Sequence, residues 1–173
     1  MPANMQQNFK QYFFILRILH LSMLGAVIIF GLVTHFVLIP VPDFKPNENG
    51  ALFVNISAAY LAIAVAVSYW LFGLRVQAAK QQTSLSDKLN TYRSATIIRF
   101  ALIEGAVLLA VVFYLLTANI VILGIAGIGL VVLALHHPNP AKLKMDLDLS
   151  PVELARLEDD ADMVVQLPLV RKF

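Results

Sequence analysis

The chain alternates between long apolar segments and short polar ones. The apolar segments cover residues 12–39, 51–74, 97–116 and 120–136. A helix needs about 20 apolar residues to cross the hydrocarbon core of a bilayer, and the fourth segment is at the short end of that range. The pattern predicts four membrane-spanning helices within residues 1–140, followed by a more polar C-terminal tail at residues 141–173.

The apolar stretch at residues 97–136 must contain a turn. As one helix it would be about 60 Å long, twice the thickness of the hydrocarbon core. Thr117, Ala118 and Asn119 provide the polar break near its middle, and Asn tolerates the left-handed conformation that ends a helix. Ser84 and Asp87 have the spacing of a capping box, which predicts that the third helix begins well before residue 97.

The composition favours a membrane protein over a soluble domain. The chain is 59% hydrophobic and 14% charged, whereas soluble domains have about 45–50% apolar and about 25% charged residues. The net charge of +2 gives no basic field that would attract nucleic acid. The absence of cysteine excludes disulfides, thiolate metal sites and cysteine nucleophiles. We therefore expect the lipid bilayer as the main partner and no nucleic acid.

Lys and Arg positions predict the orientation. With four spans, Lys45 lies alone on one side, and this asymmetry predicts that both termini lie in the cytoplasm of a bacterial inner membrane. A three-span arrangement would place Lys142 and Lys144 outside, which the same rule disfavours. The first apolar segment is about 28 residues long, against about 7–15 for the core of a signal peptide, so we interpret it as a retained transmembrane helix. The basic residues on the predicted cytoplasmic side before the tail are Lys10, Arg17, Arg75, Lys80, Lys88, Arg93 and Arg99.

Small residues recur at intervals of about four on the later spans. In lipid, helices approach closely through such residues. The pattern predicts an all-α fold, an antiparallel four-helix transmembrane bundle with a cytosolic C-terminal tail. The predicted packing positions are Ala58, Ala62 and Ala66, then Ala101, Gly105, Ala106 and Ala110, then Gly124, Gly127 and Gly129.

Glu104 is an acid within an otherwise apolar span. An ionisable group at membrane depth is costly and usually faces a partner, a water-filled cavity or an ion. Its depth of about 10 Å matches that of His20 on span 1, and we expect Glu104 to contact His20, Arg17 or Ser22. The alternatives are a structural hydrogen-bonding role, a proton or cation site, and ligand binding.

Residues 51–117 contain the alanines of span 2, then Arg75-Val-Gln77, then Ala101-Leu-Ile-Glu-Gly-Ala106. On these motifs the segment resembles the c subunit (proteolipid) of rotary ATP synthases. It implies that Glu104 is an ion-binding carboxylate. The whole chain resembles uncharacterised four-span bacterial membrane proteins that carry Ala-Leu-Ile-Glu-Gly in the third span, a similarity that implies no particular activity.

The tail contains a predicted short helix at residues 151–161. Ser150 has the position of an N-cap, Pro151 of the first helical residue, and Glu153 of the capping-box partner. We expect a flexible or membrane-surface segment or, alternatively, a partner-binding tail that uses Ser150, Glu153, Leu154 and Leu157.

The remaining polar residues form no catalytic or metal motif. His136 and His137 point about 100° apart on a helix, and no third ligand is evident, so no metal or cofactor is predicted. His35 near the outer end of span 1 could hydrogen-bond across to Asn55 or Ser57 of span 2. Two functions follow. The first is a non-enzymatic accessory or assembly subunit of a membrane complex, with a membrane-protein partner or a second copy. The alternative is a proton- or cation-binding or translocating protein that uses Glu104.

Overall fold

A computed structural model describes residues 6–40, 47, 49–159 and 162–166. Within these residues the chain is almost wholly helical, and a π-helical turn at Thr34–Leu38 continues the first helix. Two short strands, β1 (Gln6–Gln7) and β2 (Val165–Gln166), pair antiparallel. The helices are α1 (Phe9–Val33), α2 (Gly50–Lys80), α3 (Leu85–Thr117), α4 (Ile120–Leu135), α5 (Pro140–Leu147) and α6 (Pro151–Glu158).

The long helices have the length and composition of membrane spans. Among the described residues, three helices qualify: α1 with its π-helical turn, α2 and α3. With 16 residues, α4 covers only about 24 Å of a hydrocarbon core about 30 Å thick. A fourth span is present only if α4 and α5 count as one bent span. The chain is an all-α membrane protein, as predicted.

The chain divides into two compact units. Unit 1 comprises residues 1–19, 71–97 and 138–173, and unit 2 comprises residues 20–70 and 98–137. The predicted boundary at residue 140 therefore does not separate a four-helix domain from the tail, because the tail shares unit 1 with segments of α1, α2 and α3.

Unit 2 has a core to which four helices contribute. Buried residues of α1 to α4, such as Val27, Leu61, Val107 and Ile122, form one apolar cluster. Ring contacts give the helix directions: His20 lies beside Phe100 and His35 beside Tyr114, so α1 and α3 run parallel. Phe53 packs on Phe113 and Tyr69 on His136, so α2 and α4 run in the opposite direction. Consecutive helices therefore alternate in direction within this unit.

Only some of the small residues predicted to pack between helices are buried in the structure. Ala58, Ala62 and Ala66 all lie on the exposed face of α2, whereas Leu61 and Ala64 face the core. The physical reason is that every face of a membrane helix is apolar, so small-residue spacing alone does not tell the inner face from the outer one. Ala101, Gly105, Gly124 and Gly127 are also exposed; Ala106, Ala110 and Gly129 are buried.

Unit 1 has its own core, built around aromatic and aliphatic residues of several segments. Tyr12 and Leu89 are fully buried there, and the Tyr12 hydroxyl donates to the Leu89 carbonyl oxygen at 2.9 Å. The Arg93 guanidinium lies 5.6 Å from the centre of the Tyr12 ring, within the range of a cation–π contact. Leu143 and Leu147 of α5, Leu157 of α6, and Val164 and Val165 belong to the same core.

Several helix boundaries differ from the predicted ones. The third helix begins at Leu85, as the Ser84 signal predicts. At the break before α4, Ala118 rather than Asn119 adopts the left-handed conformation, with φ 51°. Asn119 instead caps α4, and its side chain accepts a hydrogen bond from the Val121 N–H.

Two helical segments in unit 1 were not predicted. The end of α2 continues to Lys80, because Phe72, Val76 and Ala79 lie on one helical face and are buried. Helix α5 begins with Asn139 as its cap and Pro140 at its first turn. This start signal is present in the sequence but is followed by only eight residues.

The tail helix confirms the predicted capping box. The Glu153 N–H donates to Ser150 Oγ at 3.3 Å, and the Ser150 N–H donates to Glu153 Oε2 at 2.8 Å. The helix ends at Glu158, and the predicted continuation to residue 161 lies partly outside the described residues. The predicted polar turn at residues 41–50 also lies mostly outside them.

Candidate functional site

His20 is a buried polar side chain in unit 2. It is 3% exposed, and neither ring nitrogen has a hydrogen-bond partner. The ring packs against Phe100 with the two centroids 4.6 Å apart. His136 and His137 are close enough to interact with it electrostatically. Because a buried polar group without a partner is rare in folded proteins, His20 is a candidate for binding a proton, a water molecule or a ligand.

His136 lies at the same end of unit 2. Its Nδ1 lies 2.6 Å from the Val132 carbonyl oxygen, and its ring contacts Tyr69 at 5.2 Å. His137 is exposed. No group of three His, Cys, Asp or Glu side chains in the described part of the chain has an arrangement that could hold a metal ion.

Glu104 lies on the flank of α3, one helical turn after Phe100. It is partly buried and makes no hydrogen bond or ion pair within the described residues. No hydrogen bond joins Glu104 to His20, because both ring nitrogens of His20 lack a partner. Span 1 and span 3 do touch at this level, but through the aromatic ring of Phe100.

The other two predicted partners of Glu104 have surroundings of their own. Ser22 is exposed and makes a contact of its own. Arg17 is exposed and lines a surface cleft of unit 1 with Lys10 and Phe14.

Arg99 is a polar residue whose environment the sequence did not reveal. It is one of the basic residues expected on the cytoplasmic side, and in the structure it is only 4% exposed. Its Nε has no hydrogen-bond partner, although the residue makes another contact. Its position one residue before Phe100 was visible in the sequence. Its burial depends on neighbouring helices, so no local pattern could have predicted it.

A second polar pair lies at the opposite end of unit 2. His35 Nδ1 and the Tyr114 hydroxyl are 2.6 Å apart, which is a short hydrogen bond between α1's π-helical turn and α3. The expected bond from His35 to Asn55 or Ser57 is not the one formed, since the Ser57 hydroxyl donates to the Phe53 carbonyl of its own helix. Thr34, next to His35, is fully buried, and its hydroxyl has no partner.

The tail residues predicted to bind a partner are engaged within the chain. Glu153 accepts a hydrogen bond from Lys88 Nζ at 2.7 Å, in an ion pair whose two side chains are 13% and 16% exposed. Burial raises the pKa of Glu153, but the hydrogen bonds from Lys88 and Ser150 outweigh it and hold the pKa below its ordinary value. Leu157 is buried in unit 1 and Leu154 is partly buried. These contacts leave little of the predicted binding surface available.

Comparison of the chain with protein-family models, with curated proteins and with solved structures found no match.

Proposed function

We propose that the protein is an integral membrane protein that acts as a non-enzymatic accessory or assembly subunit of a membrane complex. The observation that carries this proposal is the exposed small-residue face of α2. Ala58, Ala62 and Ala66 recur at intervals of four and are all exposed. Small residues let another membrane helix approach closely, and within lipid such packing replaces the hydrophobic force as a source of affinity.

A membrane orientation with four spans and both termini in the cytoplasm belongs to this proposal. Every described Lys and Arg except Arg99 lies in unit 1, the unit that also contains the tail. Such an asymmetry is typical of the cytoplasmic side of a bacterial inner membrane protein. A C-terminal reporter that is active only in the cytoplasm tests this orientation, and activity of a periplasmic reporter would contradict it.

The accessory role can be tested by cross-linking, because the chain contains no cysteine. A single cysteine at Ala62 places a thiol on the small-residue face, while a cysteine at the adjacent Ile63, 60% exposed, is the matched control. Both variants are treated in native membranes with a bifunctional thiol reagent long enough to reach neighbouring membrane proteins. We expect a defined cross-linked product from the Ala62 variant only. Mass spectrometry then distinguishes a second copy from another protein. Equal products from both variants, or none, would contradict the proposal.

The alternative function is proton or cation binding at Glu104. The observation that favours it is the absence of any hydrogen bond or ion pair to this carboxyl group within the described residues. A structural role would require such a partner, whereas an ion-binding carboxyl group must be free to exchange one.

A hydrophobic carbodiimide tests this alternative because it modifies protonated carboxyl groups within membranes. We expect it to label Glu104 in membranes, to label it less as the pH rises, and to leave the Glu104→Gln variant unlabelled at this position. The Glu153→Gln variant is the matched control, because the Glu153 carboxyl group is already paired with Lys88. Absence of labelling at every pH would contradict the ion-site hypothesis.

A further inference from the structure

Unit 2 contains an apolar cleft between α1 and α4. It has a volume of about 260 Å³ and is open on one side. Gly31 of α1 and Gly127 of α4 line its walls, and Val107 and Val111 of α3 lie at its base. A Cβ atom at either glycine would meet no heavy atom within 4 Å. The cleft is therefore wide here partly because Gly31 and Gly127 carry no side chain.

His35 is the one residue with a polar side chain among those that line the cleft. His35 uses Nδ1 to hydrogen-bond with Tyr114, and the two rings lie nearly parallel at 6.0 Å. When the Tyr114 hydroxyl donates to Nδ1, the neutral imidazole carries its proton on Nε2. That nitrogen then becomes a donor fixed in position by the hydrogen bond on the other side of the ring.

The backbone at this point is irregular. His35 lies within the π-helical turn, where the Ile39 N–H donates to the Thr34 carbonyl oxygen at 3.1 Å. Short π-helical segments are rare and occur frequently at functional sites. The buried Thr34 hydroxyl without a partner adds a second unusual feature at the same level of the helix.

We propose that this cleft binds a membrane-soluble quinone, with the apolar chain between Gly31 and Gly127 and a ring carbonyl accepting a hydrogen bond from His35 Nε2. Ligand sites are typically apolar with a few placed polar groups, which is the composition seen here. The charge of the cleft argues against a phospholipid headgroup, since no Lys or Arg lines it. A neutral carbonyl matches a neutral donor. The proposal concerns binding alone and does not depend on the accessory role.

Photoaffinity labelling of the full-length protein in detergent tests the proposal. The probe is an azido-benzoquinone with a ten-carbon alkyl chain, and an unlabelled benzoquinone with the same chain is the competitor. We expect saturable labelling of peptides from α1 or α4. Added phosphatidylglycerol or phosphatidylcholine at the same concentration should leave labelling unchanged, whereas displacement by either lipid would show an ordinary acyl-chain groove and overturn the proposal.

Two glycine variants supply a matched comparison. Gly127→Leu fills the cleft, while Gly124→Leu places the same side chain on an exposed site of α4 outside it. We expect labelling by the quinone to need at least tenfold more probe in Gly127→Leu and to be unchanged in Gly124→Leu. His35→Leu should weaken quinone binding about as much as Gly127→Leu does. Thermal melting checks that all three variants remain folded. Labelling that is equal in Gly127→Leu and in the unaltered protein would overturn the proposal.

Discussion

Gly129 of α4 marks a close helix contact in unit 2, and replacing it with alanine tests that packing. A Cβ atom at this position would lie 2.5 Å from Val107 Cγ2 and 3.0 Å from Leu61 Cδ1. The end of the Leu61 side chain can rotate away. Val107 is only 1% exposed and is β-branched, so its side chain is held near one rotamer in a helix. We therefore expect overpacking, which typically costs about 1–3 kcal/mol.

Gly127→Ala is the matched control, since no heavy atom lies within 4 Å of its added Cβ. Both substitutions replace a glycine inside α4 and gain about 1 kcal/mol of helix propensity, so this gain cancels in the comparison. Gly129→Ala should thus be about 1–3 kcal/mol less stable than Gly127→Ala. The free energy of unfolding is measured by titrating SDS into mixed micelles and following helical ellipticity. Equal stability of the two variants would refute the packing of α4 against Val107 and Leu61.

Three further substitutions test other parts of the structure in the same unfolding assay. Glu153→Gln should lower the free energy of unfolding by about 1–2 kcal/mol at pH 7. The folded-state pKa of Glu153 lies below its ordinary 4.5, so this deficit should shrink as the pH falls below 4.5, and a constant deficit would contradict the Lys88 pairing. Thr34→Val should be neutral or stabilise by up to about 1–3 kcal/mol, because the buried hydroxyl has no partner, and a clear loss would show that it has one. Ala118→Gly should stabilise by about 1 kcal/mol by relieving the left-handed conformation at φ 51°, and destabilisation would argue against that conformation.

The positions of the helices along the chain could be predicted well from the sequence. The side of each helix that packs against the other helices could not. Hydropathy located the long helices, and local chemistry located the start of α3 and the Ser150 capping box. The facing of α2 could not be derived, because Ala58, Ala62 and Ala66 look the same whether they touch a neighbouring helix or lipid. An all-apolar helix carries no amphipathic stripe that would mark its inner side. Helix α5 was missed for a different reason. Its start signal in the sequence is clear, but the helix is only eight residues long.

The candidate site was predicted residue by residue but not as an arrangement. Glu104 and His20 stand out in the sequence because each is polar within an apolar helix, and this property requires no knowledge of the fold. Their neighbours depend on how α1 and α3 pack. The partner of His20 is the Phe100 ring, 80 positions away, and the partner of His35 is Tyr114, at a separation of 79. Neither aromatic residue differs in sequence from the many others that line the spans.

The polar groups of unit 2 that lack partners constrain the function more than its packed core does. His20 and the Thr34 hydroxyl are buried without a hydrogen bond, and each such group typically costs about 1–3 kcal/mol. Glu104 has no hydrogen bond or ion pair within the described residues. A helical bundle that only holds other subunits would be more stable with apolar residues at these positions. If the accessory role is correct, the partly exposed Glu104 should gain a partner in the assembled complex, and Glu104→Gln should weaken assembly rather than the isolated protein. If Glu104 instead takes a proton or a cation, the same replacement should abolish that binding and leave assembly intact.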